Sequence, residues 1–175
     1  MRLINFKNYV DELPTLLANK NETVIVVSDE PCILHSGDPL GDISIPIYKT
    51  HYFGGTIVNF EGDVCIGNYQ EKHNDFGNVF MSKLLEFLQH KGLSCELMGN
   101  DIIIDGQYKV ASWMSCMISE CLYTAIHISV GMDLDLIKKI CTKPMVKTPK
   151  GLADYGISQN DLFDFIERTY NEDII

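Results

Sequence analysis

Three groups of residues in this sequence have types and spacings that can do chemistry. Lys109 follows the Asp105-Gly106 turn in 105-DGQYKVASWMS-115, Gly54-Gly55 opens the run GTIVNF, and His127 sits inside 122-LYTAIHISV-130. Lys109 reads in two ways. It is either an ordinary solvated strand lysine or a cation held over a ligand, and the small residues Ala111 and Ser112 leave room for one. In the second reading its ammonium polarises a carbonyl and neutralises a phosphate in the same transition state. The glycine pair either permits a turn or bulge, or bares backbone N–H groups to a phosphate or acyl chain. His127, among apolar neighbours, is either a hydrogen-bonded core histidine or a ligand contact, and no carboxylate lies at a spacing that makes it an obvious base. Asp133 and Asp135 beyond it read as a helix N-terminal cap.

Composition narrows the partners. The 175-residue chain is 46% hydrophobic and 22% charged, with a net charge of -10, values that fit one globular domain. Nucleic acid is an unsuitable partner, because neutralising phosphates needs clustered Lys and Arg. The only arginines are Arg2 and Arg168, so lysines and histidines supply nearly every cation available to a central site. Lys138 to Lys150 is the one basic stretch, either a solvated loop or a patch facing something acidic. No apolar run approaches the ~20 residues of a membrane span, and acidic residues interrupt the N-terminal segment where a signal peptide would be apolar. The chain therefore reads as cytoplasmic. Six cysteines without a C-x-x-C pair read as reduced thiols, and no set of residues reads as a metal site.

The elements that must position these residues alternate in type. A helix is expected near 6–18, followed by a strand at 22-ETVIVVSD-29, an irregular loop over 30–41 and a strand at 43-ISIPIYK-49. Next comes a hairpin, GTIVNF and VCIGNY about the Glu61-Gly62-Asp63 turn. The clearest helix runs over 74–91, with Phe76, Val79, Phe80, Leu84, Phe87 and Leu88 on one face. A second hairpin joins 101-DIIID-105 to 108-YKVASWM-114, and a strand covers 122–130. Short helices near 133–140 and 160–170 complete an α+β domain with a mostly antiparallel central sheet.

Order and spacing together resemble the catalytic domain of the lipoate–protein ligase and octanoyltransferase family, which biotin–protein ligases share. The resemblance is carried by 45-IPIYKTHYFGGTIVNFEGDVCIGNY-69, by the lysine hairpin 100-NDIIIDGQYKVAS-112, by 127-HISVGMDLDLIKKI-140 and by the loop 147-KTPKGLADYGIS-158. It implies a single ligase-like domain over 1–175 without an accessory C-terminal domain, and a tunnel for a fatty-acyl or lipoyl chain. ATP would activate lipoate or octanoate to an acyl-adenylate, with room for Mg2+, and the acyl group would pass to a lysine of an acidic lipoyl-type carrier domain. Lys109 matches the catalytic lysine. Lys49, His51, Gly54, Gly55, Thr56, Ala111, Ser112, His127 and Lys150 would contact substrate, with Lys147 or Lys150 on a closing loop.

The chain also departs from the family. Thr50 to Phe53 stand where ligases carry arginines, and Lys49 lacks the bidentate guanidinium fork. Lys150 occupies the position of the transferases' cysteine nucleophile, and Cys141 is nine residues earlier, which disfavours covalent transfer. Trp113 and Met114, larger than the family's residues, are expected to narrow the pocket. The alternative reading is an inactive relative that binds a ligand or protein, and its Arg-poor usage suits an AT-rich genome such as a phage's.

Overall fold

In the computed structural model, residues 2–5, 23–35, 40–41, 43–49, 56–71, 75–118 and 120–171 are described. The expected helix near 6–18 lies outside them. Period-2 alternation of β-branched residues builds a large sheet from β1 (Arg2–Asn5), β2 (Thr23–Val27), β6 (Val64–Glu71), β7 (Cys95–Met98), β8 (Asp101–Ile104), β9 (Tyr108–Ile118), β10 (Cys121–Ile128) and β11 (Thr148–Pro149). Its order is β1-β2-β6-β10-β9-β8-β7, with β11 added beside β9. Within this sheet, among the described residues, only β1–β2 and β9–β11 pair in parallel. A smaller sheet holds β3 (Cys32–His35), flanked by β4 (Ile47–Lys49) and β5 (Thr56–Asn59).

Three apolar layers follow from the alternation. Ile25, Ile66, Ile126 and Ile128 of the large sheet bury against α1 (Phe76–His90) and α3 (Gln159–Asn171). The alternate residues Val24, Val26, Tyr123 and Ala125 meet Cys32 and Leu34 of the small sheet. On the outer face of that sheet, Ile33 and Val58 are covered by Ile137 and Ile140 of α2 (Leu134–Ile140). In α1 the buried stripe is Phe76, Gly77, Phe80, Met81, Leu84 and Leu88, at helical spacing. Val79 and Phe87 flank it half-buried.

The structure corrects three expectations and adds a strand. The GTIVNF and VCIGNY segments are not a hairpin, because β5 pairs with β3 while β6 pairs with β2 and β10. The turn at 60–63 is the point where the chain changes sheets. The loop over 30–41 contains β3, too short for its four residues to show a period. The strand expected at 43–49 is a strand only from Ile47, with the Pro46 carbonyl accepting from Ile33 N at 2.8 Å. β7 was not foreseen, since CELM carries no alternation of its own.

The α1–α3 layer rests on a capping box, SQND over 158–161. Asp161 Oδ2 accepts from Ser158 N at 2.9 Å, and Ser158 Oγ accepts from Asp161 N at 3.2 Å. Lys91, just after α1, donates to Asp161 Oδ1 at 2.8 Å. These bonds from Lys91 and Ser158 hold the Asp161 carboxyl well below its usual range. A depressed carboxyl stabilises the fold above its unfolded value of 3.8 and loses that effect as pH falls through the folded value. Asp161→Asn is therefore expected to melt below wild type at pH 7, with the gap narrowing as the pH is lowered under 3.8.

Trp113 lies on the helix side of the large sheet, against α1. A Cβ built on Gly77 would stand 2.4 Å from the Trp113 ring, so the helix accepts glycine's entropic cost there to seat the indole. Gly77→Val is expected to lower stability by about 1–3 kcal/mol through overpacking. Adding Trp113→Leu should recover part of the loss in thermal unfolding.

Candidate active site

The site lies where the two sheets diverge. A cleft of about 360 Å³ is walled by Thr56, Ile57 and Val58 of β5, by Lys109 and Ser112 of β9, and by His127 of β10. Ile137 of α2, Cys141 and the 145–147 segment complete it, with Val146 almost fully exposed (98%) at the lip.

A β-bulge sets the polar content of this cleft. In the β8–β9 ladder Ile102 faces Ala111 but Ile103 faces Lys109, so Val110 is the extra residue. Strict alternation would put Lys109 on the face of Ala111 and Trp113. With the bulge, Val110 and Ala111 both bury in the helix-side core, and Lys109 and Ser112 share the cleft face. Asp101 pairs with Ser112 in the same ladder and reaches the cleft as well. Its Oδ1 lies 3.7 Å from Lys109 Nζ, and its Oδ2 accepts from Lys147 Nζ at 2.9 Å. Two ammonium groups thus share one carboxylate, leaving a net positive charge in a chain of net charge -10.

The segment carrying Lys147 is stitched down beside Lys109. β11 extends the line of β10 past its end, pairing Pro149 with Lys109, and Lys150 N donates to Lys109 O at 2.9 Å. Leu152 N and Ala153 N then bond Ser129 O and Val130 O. At Gly151 a Cβ would sit 2.4 Å from Val130 O, so only glycine lets the loop lie this close to the strand.

Behind His127 is a buried acid. Asp63, 1% exposed, accepts from Val130 N at 2.6 Å and Gly131 N at 3.0 Å on Oδ1, and from Phe60 N at 3.0 Å on Oδ2. His127 Nε2 is 3.3 Å from the same Oδ2. Cys65, facing His127 across β6–β10, has its thiol pushed well above the ordinary value, chiefly by burial and then by the Asp63 charge.

The structure therefore brings together Lys109, Ser112, His127 and Thr56, with Lys147, one of the two lysines expected on the loop, beside them. It does not bring Ala111, which the bulge turns to the opposite face. Lys150 is also elsewhere: its ammonium sits 4.6 Å from the ring centres of both Tyr108 and Tyr155. Trp113 fills the helix-side core and Met114 the core between the sheets, so neither borders the cleft. His51, Gly54 and Gly55 lie outside the described residues, as does the Lys49 side chain, although its backbone ends β4. Asp63 and Asp101 had no role in the sequence reading. Asp101 stands in the quoted lysine hairpin, whereas Asp63 had only the signature of a turn residue.

No protein-family model and no curated protein sequence matches the chain. Solved structures do. A bi-partite lipoate protein ligase from Thermoplasma acidophilum, studied with its E2 lipoyl domain, superposes with a TM-score of 0.77 at 12% identity, over 98% of this chain and 81% of that one. Lipoate-protein ligase A bound with ATP gives 0.73 at 14% identity, over 97% and 82%. LipL1 from P. falciparum in complex with lipoate gives 0.72 at 14%, over 98% and 61%. The chain has the lipoate–protein ligase fold. Biotin protein ligases share it more loosely, with a TM-score of 0.55 for the Leishmania major protein. In this version of the fold the large sheet, the lysine hairpin and the strand of His127 form one continuous wall of the cleft.

Asp63→Ala would leave three backbone N–H groups without their acceptor. It is expected to cost about 2–4 kcal/mol, read as a lower urea midpoint at unchanged slope.

Proposed function

We propose that the chain is an acyl-transferring ligase of the lipoate type. It takes ATP and lipoate or octanoate, forms the acyl-adenylate, and passes the acyl group to a lysine of an acidic lipoyl-type carrier domain. The observation that supports this best is the convergence of Lys109 and Lys147 on Asp101 inside a cleft that also presents Ile57, Val58 and Ile137. Two cations suit a carboxylate meeting a phosphate, and the aliphatic residues suit an acyl chain. The volume is at the small end of the usual range for ligand pockets, roughly 300–1,000 Å³.

In the first step a carboxylate oxygen attacks the α-phosphorus and pyrophosphate leaves. In the second the acceptor nitrogen attacks the acyl carbon and AMP leaves. Negative charge grows on the phosphate oxygens in the first and on the carbonyl oxygen in the second. The Lys109 ammonium, on a backbone held by β11 and 3.7 Å from Asp101 Oδ1, is a cation that can meet both. Mg2+ would arrive with the nucleotide: among the described residues no group of three His, Cys, Asp or Glu could hold a metal. Asp101 is already held by two lysines, so no step is routed through a protein-bound ion.

Purified protein with ATP, octanoate or lipoate and a lipoyl carrier domain is expected to add one acyl mass to the carrier and to release AMP. Lys109→Ala should lower the rate by about 10²–10³-fold, and Lys138→Ala, a change at an exposed α2 lysine, should not. No acyl transfer and no AMP would overturn the ligase reading. Binding of the acid without turnover would assign the inactive binding module instead.

A further inference from the structure

The two steps above leave the Asp63–His127 pair without a task. Its hydrogen-bond inventory sets the tautomer of the neutral ring. Asp63 receives N–H donors on both oxygens, one each from Phe60 and Gly131 and one from Val130. The carboxylate is thus an acceptor toward His127 as well, and Nε2 carries the hydrogen across the 3.3 Å contact. In the neutral imidazole Nδ1 is then the bare nitrogen. The ring is 14% exposed and borders the cleft, facing Ser112 across the β9–β10 ladder and sharing a face with Lys109.

We propose that His127, oriented by Asp63, is the base that takes the proton from the acceptor amine during acyl transfer, an inference that rests on the ligase reading of the cleft. When the neutral amine attacks, its nitrogen forms a bond to the acyl carbon and becomes cationic. The carbon–oxygen bond to the adenylate phosphate breaks, its electron pair leaving with AMP, and the nitrogen's proton passes to Nδ1 of His127. The resulting imidazolium is paired with the Asp63 carboxylate. Of the other groups in the cleft or beside the ring none suits the role, and Asp101 is already paired with two lysines. Lys109 from β9 and Lys147 from the loop after α2 are needed as cations, and Ser112 is a hydroxyl. Cys65 from β6 is kept a thiol by burial. His127 is the catalytic residue of this step and Asp63 is its positioning residue.

The test separates the two half-reactions in the 175-residue chain. With ATP and octanoate, pyrophosphate release reads adenylation. Transfer is then read either to the carrier lysine or to hydroxylamine, which is neutral at pH 7 and sheds its proton to water once attached. His127→Gln is expected to retain pyrophosphate release, to slow transfer to lysine by about 10²-fold or more, and to leave capture by hydroxylamine unchanged. Asp63→Asn reverses the tautomer by turning an N–H toward the ring, and should show the same split if its thermal unfolding remains cooperative. Equal slowing with lysine and hydroxylamine in His127→Gln, or no slowing with either, overturns the proposal while the ligase reading stands. A wild-type protein that releases no pyrophosphate overturns both.

Discussion

A carboxylate with almost no access to water is costly to keep charged, and Asp63 meets that cost with three amide N–H groups and an imidazole. The donors come from places far apart in the chain: Phe60 at the end of β5, and His127, Val130 and Gly131 around the end of β10. One side chain thereby ties the point where the chain leaves the small sheet to the point where the large sheet opens toward α2. The cleft lies between those two points. Its β5 wall and its β9–β10 wall belong to different sheets, and this bond set ties their ends together beside the apolar layer packed between the sheets.

The second constraint is the bulge at Val110. In an unbroken β9 the residues at 109 and 112 would face opposite sides, and the Lys109 ammonium would be directed toward the helix-side core. One extra residue changes the phase of the strand, which places Lys109 with Ser112, Asp101 and His127. Trp113 stays on the helix side, where it packs against Gly77. The bulged strand thus carries a polar cleft on one face and a packed indole on the other. β11 then occupies the edge of β9 that β10 has left, and carries Lys147 to the same carboxylate as Lys109.

These two features explain what was legible in the sequence. The lysine hairpin, the helix over 76–90 and the strand of His127 follow from local signals: the Asp-Gly turn, the 3.6-residue stripe and the β-branched run. Lys109 was found through its neighbours, and the fold through the order of these segments. The bulge has no such signal, because Lys-Val-Ala-Ser alternates no worse with it than without it, and so Ala111 was placed on the wrong face and Trp113 in the pocket. GTIVNF and VCIGNY look like a hairpin locally, and only the non-local partners β3 and β10 decide otherwise. Asp63 was hidden for the same reason. A Glu-Gly-Asp turn says nothing about amides 67 and 68 residues away.

Charge raises a last point of consistency. A chain with 24 acidic and 14 basic residues repels an anionic ligand at long range, which runs against a site for a carboxylate and a nucleotide. Screening removes the conflict. At physiological ionic strength the Debye length is about 8 Å, so an anion at the cleft feels chiefly the groups that line it. Those are Lys109 and Lys147 against Asp101. Arg is absent from this set, and Lys presents a point charge rather than a planar fork. A site built this way holds an anion by field and leaves its orientation to the surrounding walls. The burden of placing the reacting atoms then falls on the rigid partners of those lysines, the bulged β9 and the loop pinned at Gly151.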